Sequence, residues 1–92
     1  MHTINDIATR IIQEQELVIG PLAWSEAEKV QGLRVISRSS GQVEIDGGSA
    51  VVDRLVAKYE RLFGRASHEV CREAAAPLLA GMPEAEIPAS LR

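Results

Sequence analysis

His68 and Cys71 stand three residues apart in a stretch that reads as a helix, so they share a face and offer two ligands to a soft metal ion. A structural zinc site takes four such ligands. His2 is remote in sequence, and the nearest carboxylates are Glu69 and Glu73, so a metal would need those or a symmetric dimer to fill its shell. The same pair as nucleophile and base lacks an Asp or Asn orienter and an oxyanion-hole loop. The plainer reading is a core-facing thiol beside an exposed imidazole. No metal, cofactor or catalytic residue is assigned, and the chain is expected not to be an enzyme.

A second chemistry lies in the cations. Arg54, Lys58, Arg61 and Arg65 recur at intervals of four, three and four, which lines them along one side of a helix, and Arg34 and Arg38 extend the ridge if a neighbouring hairpin packs alongside. These six are the candidate anion-binding residues, suited to phosphates or an acidic protein surface. Asp53 and Glu60 sit among them, so a balanced, solvated helix face is the simpler alternative. The charge distribution agrees with a local feature: residues 1–31 sum to −3, 32–65 to +2 and 66–92 to −2, within a net charge of −3. No aromatic or glycine-rich interleaving accompanies the ridge, so nucleic acid ranks behind a protein partner. Gly47-Gly48 before a helix superficially suggests a phosphate cradle. It lacks the Lys-Ser/Thr ending of such loops and reads as a turn.

The elements that must position these residues follow from periodicity. Thr3 and Asp6 form a capping-box variant, and Ile4, Ile7, Ala8, Ile11, Ile12, Gln15 and Val18 continue at helical spacing until Gly20-Pro21 closes the helix near Ile19. Pro21 opens a second helix that buries Leu22, Ala23, Ala27 and Val30 and stops at Gly32. Leu33–Ile36 and Gln42–Ile45 alternate apolar and polar residues around Ser37–Gly41, the pattern of one β-hairpin. Asp46–Ser49 is a turn with Ser49 as N-cap, followed by the strongest helical pattern, Val51 to Phe63, ended by Gly64. A fourth helix carries Val70, Cys71, Ala74, Ala75 and Leu78, with Pro77 predicted to kink its last turn. The fold class is α+β, predominantly helical, in the order α-α-β-β-α-α with the hairpin packed on the helices.

Gly-Gln-Val-Glu-Ile-Asp-Gly at 41–47 leading into an amphipathic helix resembles, over about thirty residues, the end of a KH-type domain. That domain clamps nucleic acid with a Gly-x-x-Gly loop, which this chain lacks. Nothing is carried over from it.

Residues 1–80 are expected to form a single compact domain. Residues 81–92, with Pro83 and Pro88 and no period, are expected to be a flexible tail. At 92 residues the chain can bury roughly 60 to 65% of its unfolded surface. Its only aromatics are Trp24, Tyr59 and Phe63, so Ile, Leu, Val and Ala must fill the interior. So thin a core favours burial against another chain. The apolar residues around Leu17, Val18, Leu22 and Trp24 exceed one buried stripe, and a hairpin has two edges of unpaired peptide groups. Leu17, Val18, Leu22, Trp24, Val43 and Ile45 are therefore the candidate partner interface. The expected function is a small, non-catalytic interaction or regulatory module, oligomeric, with a protein partner or homodimer; the alternative is a nucleic-acid or phosphate-ligand module using the basic ridge. The opening residues lack a basic stretch followed by an apolar run, and no apolar run approaches the ~20 residues of a membrane span, which gives the expectation of a cytoplasmic protein without membrane contact.

Overall fold

The computed structural model describes residues 3–92; Met1 and His2, the latter weighed above as a metal ligand, lie outside the described residues. The element order is α1 (Ile4–Ile19), α2 (Leu22–Ala27), β1 (Leu33–Ser37), β2 (Gln42–Ile45), α3 (Ser49–Phe63) and α4 (Arg65–Leu79), then two single 3₁₀ turns at Glu84–Glu86 and Ala89–Leu91. The fold is α+β and mostly helical, with the α-α-β-β-α-α order of the sequence pattern. No helix among the described residues is long and apolar enough to cross a membrane.

Each boundary has a local cause. Thr3 Oγ1 accepts from the Asp6 amide while Asp6 accepts from the Thr3 amide, so both halves of the capping box form. Gly20 and Gly64 close α1 and α3, each donating its N–H to the carbonyl four residues back at 2.8 Å. Two expectations need correction. Gly48, not Ser49, is the N-cap of α3 and offers no side-chain cap. The second helix ends at Ala27 rather than continuing to Gly32, and Val30 is buried in the turn that follows. Pro77 falls in the last turn of α4, which runs on to Leu79.

Four helices and the hairpin enclose one aliphatic core. Ile7, Ile11 and Ile12 of α1 meet Val51, Val52, Leu55 and Val56 of α3 and Ala75 and Leu78 of α4, with Trp24 and Ala27 from α2 and Leu33 and Val43 from the hairpin. Tyr59 Oη donates to the Ala23 carbonyl at 2.7 Å, which fastens α3 to α2, and burial pushes the phenol far above its ordinary pKa. Gln15 is fully buried and fastens α1 to α4: its Nε2 donates to the Ser67 carbonyl at 2.9 Å and to Cys71 Sγ at 3.3 Å.

The hairpin pairs Leu33 with Ile45, Arg34 with Glu44 and Val35 with Val43, and a bulge then shifts the register so that Ser37 meets Gln42. Asp46 N–H donates to the Gly32 carbonyl at 2.8 Å, so bonded and non-bonded pairs alternate from there, and Leu33, Val35, Val43 and Ile45 turn their peptide groups outward. Ile45 N–H finds Asn5 Oδ1 at 3.2 Å, so α1 covers the end of the β2 edge. Leu33 N–H finds the Val30 carbonyl. On β1 the outward groups of Val35 have no hydrogen-bond partner among the described residues, on a strand that is short, bulged and flanked by Arg34 and Arg38. Those are the features by which edges avoid pairing.

The expected flexible tail is replaced by a docked segment. Leu91 is 4% exposed, Pro88 is fully buried, and the Ala89–Leu91 turn packs on both α3 and α4. Two prolines and the absence of a period predict mobility, but each proline precedes a 3₁₀ turn, and Pro88 and Leu91 at the second turn are buried where it packs on α3 and α4.

Candidate functional site

The basic ridge is largely engaged within the chain. Arg34 is paired with Glu44 across the hairpin, and Arg38 donates through Nε and Nη2 to Glu28 at 3.1 and 2.9 Å. Arg54 donates to the Gln31 carbonyl at 3.1 Å, and Lys58 stands 4.0 Å from Glu26, a buried carboxylate that Lys29 also holds. Arg61 and Arg65 are exposed at the junction of α3 and α4. Four of the six cations are therefore engaged by groups of the chain itself, and only Arg61 and Arg65 project without a partner among the described residues.

His68 and Cys71 share a helix but not a site. Cys71 faces inward, a free thiol fully buried against Gln15, and burial pushes its pKa up to about 11. His68 faces the docked C-terminal segment: Nε2 lies 2.6 Å from the Ser90 carbonyl and Nδ1 lies 3.1 Å from Glu60 Oε2. No group of three or more His, Cys, Asp or Glu that could hold a metal occurs among the described residues. A thiol of that pKa, without a base beside it, is poorly placed as a nucleophile.

The apolar candidates divide. Trp24 and Val43, named above as interface residues, are core residues at 2% and 4% exposure, and Ile45 packs half-buried against the same core. Their alternating or helical spacing identifies a buried face as readily as a surplus one, so spacing alone does not separate them from Leu17, Val18 and Leu22. These three remain exposed, Leu17 at 80% and Val18 at 66%. Leu62 and Phe63 on the last turn of α3 join them, residues that the sequence pattern assigns to a buried stripe.

These five side chains gather at one end of the molecule. The Tyr59–Ala23 bond sets the end of α3 beside the start of α2, so Leu62 and Phe63 stand one turn beyond Tyr59 and Leu22 stands next to Ala23. The Gln15–Ser67 bond sets the end of α1 beside the start of α4. Leu17 and Val18 there line a shallow groove with Val70, Ala74 and Pro77. Glu16 is exposed on the α1 side of this pole, and Arg61 and Arg65 lie on the α3–α4 side.

A polar seat at the C-terminal segment completes the inventory. Asp53 Oδ1 accepts from both the N–H of Ser90, at 2.9 Å, and its hydroxyl, while His68 reaches the Ser90 carbonyl. No sequence signal marks Asp53, Glu60, His68 and Ser90 as a set, because they come from three elements and carry no common spacing. No protein-family model, curated protein or solved structure matches the chain, so its residues and their geometry carry the functional argument.

Proposed function

We propose that the protein is a non-catalytic interaction module that self-associates through the apolar pole formed by the ends of α1, α2 and α3. The observation that carries this reading is the exposure of Leu17 and Val18 at 80% and 66%, with Leu22, Leu62 and Phe63 also exposed at the ends of elements that the Tyr59–Ala23 and Gln15–Ser67 bonds tie together. Together these side chains expose on the order of 400 Å² of apolar surface, comparable to the largest patches monomers carry. Two such patches face to face, with their polar rim, approach the ~1,000 Å² of a specific interface. The rim charges favour a second copy as occupant. In a two-fold arrangement the surface meets itself, so Glu16 of one copy can face Arg61 or Arg65 of the other.

Self-association through this pole leaves the hairpin free, which gives a discriminating experiment. Leu17→Glu should lower the solution mass to that of a single chain, with helicity by circular dichroism retained, because Leu17 contributes little to the core. Ile36→Glu, at an exposed hairpin position of 46% exposure, should leave the mass unchanged. The opposite pattern would move the interface to the β1 edge.

A further inference from the structure

The two ring nitrogens of His68 face two acceptors. Nε2 meets the Ser90 carbonyl at 2.6 Å and Nδ1 meets Glu60 Oε2 at 3.1 Å, and neither partner has a proton to give while Glu60 is ionised. A neutral imidazole carries one N–H and one bare lone pair, so it satisfies only one of these contacts and sets its lone pair against the other. The imidazolium, with two N–H groups, satisfies both. We propose that His68 is a proton-operated clamp: as the imidazolium it ties the segment 84–92 to α3 and α4, and its deprotonation loosens that segment and opens the seat of Leu91 between the two helices.

The surroundings fit a clamp of limited strength. From α3, Glu60 faces the ring and Asp53 holds Ser90; from α4, Glu69 and Arg72 form an ion pair at 3.2 Å near it, and Arg65 lines the same hollow; from the segment itself, Arg92 lines it too. The two glutamates favour the protonated ring and the three arginines oppose it. The hydrogen bond to the Ser90 carbonyl is the largest influence, and with Glu60 it raises the His68 pKa above the ordinary 6.5 against the effect of partial burial. A raised pKa in the docked state means that docking gains from the proton. That gain is fully present below pH 6.5 and is lost as pH rises through the docked value. The segment opens as a unit, because Arg92 donates to the Glu84 and Ile87 carbonyls within it. The burial of Leu91 and the Asp53–Ser90 contacts still hold the segment after the proton leaves, so the clamp modulates docking rather than abolishing it.

Amide hydrogen exchange of the full chain by NMR, with rates divided by the intrinsic rate at each pH, tests this. Protection at Ser90, whose N–H donates to Asp53, and at Leu91, whose N–H donates to Pro88, should fall severalfold between about pH 6 and pH 8.5, while protection at Ile11 stays constant. His68→Gln should show low, pH-independent protection at both amides. Glu60→Gln, which keeps the histidine, should move the fall to lower pH. Flat protection in the unaltered protein, persistence of the fall in His68→Gln, or a parallel fall at Ile11 would each overturn the clamp.

Discussion

Gln15 is the residue that best separates what spacing conveys from what packing requires. It falls on the apolar stripe of α1, and its burial is legible from that position; its partners, Ser67 and Cys71, lie 52 and 56 residues on and are not. Its Nε2 is bonded, but its Oε1 and the Trp24 Nε1 are buried with no hydrogen-bond partner among the described residues. An unpaired buried polar atom costs about 1–3 kcal/mol, which offsets much of what the Nε2 bonds contribute. Gln15→Met, of similar length and without the unpaired oxygen, should therefore change stability by less than about 1.5 kcal/mol in urea unfolding. Gln15→Ala leaves a cavity between α1 and α4 and should cost about 2–4 kcal/mol. Equal losses in the two variants would show that the Nε2 bonds, not the volume, hold the helices together. The Asp53–Ser90 contact, 37 residues apart in sequence, was hidden for the same reason: hydrogen bonding between distant polar residues leaves no periodic trace.

At the scale of elements, the helix and strand order was legible because each element declares its own period: 3.6 in the helices, two in the hairpin, with glycine or proline at most joints. The covering of the hairpin was not. Asn5 looks like an ordinary first-turn residue of α1, yet its side chain reaches the Ile45 amide 40 residues away and removes one of the open edge groups. The joint between α2 and β1 depends on Gly32, at φ +92°, where an added Cβ would lie 2.6 Å from the Asp46 carbonyl oxygen and 2.7 Å from Val51 Cγ2. Neither obstacle is the end of a flexible chain, so Gly32→Ala should cost about 2 kcal/mol or more. At Gly41, φ +69°, the nearest atom to an added Cβ is Gln13 Nε2, which can swing aside. Gly41→Ala should accordingly cost less than Gly32→Ala in the same thermal or urea unfolding experiment, and the reverse order would contradict this account of how the hairpin meets α3.

For the whole molecule, the features that matter are the two surfaces that sequence alone could not apportion. The C-terminal residues, which look like a linker in composition, complete the α3–α4 face by placing Pro88 and Leu91 in it. Apolar residues on the last turn of α3 and at the end of α1 stay in solvent, although their spacing matches that of the core. Periodicity reports which residues share a side of a helix, not how much of that side another element covers; Leu17 and Val18 line an open groove beside α4, and Leu62 and Phe63 stay exposed on the last turn of α3. The pole they form is the basis of the proposed self-association. Sedimentation equilibrium of the unaltered chain across a range of micromolar concentrations tests it most directly. The account predicts a mass that rises with concentration from 10.0 kDa toward twice that value, whereas a constant 10.0 kDa at every concentration would contradict it.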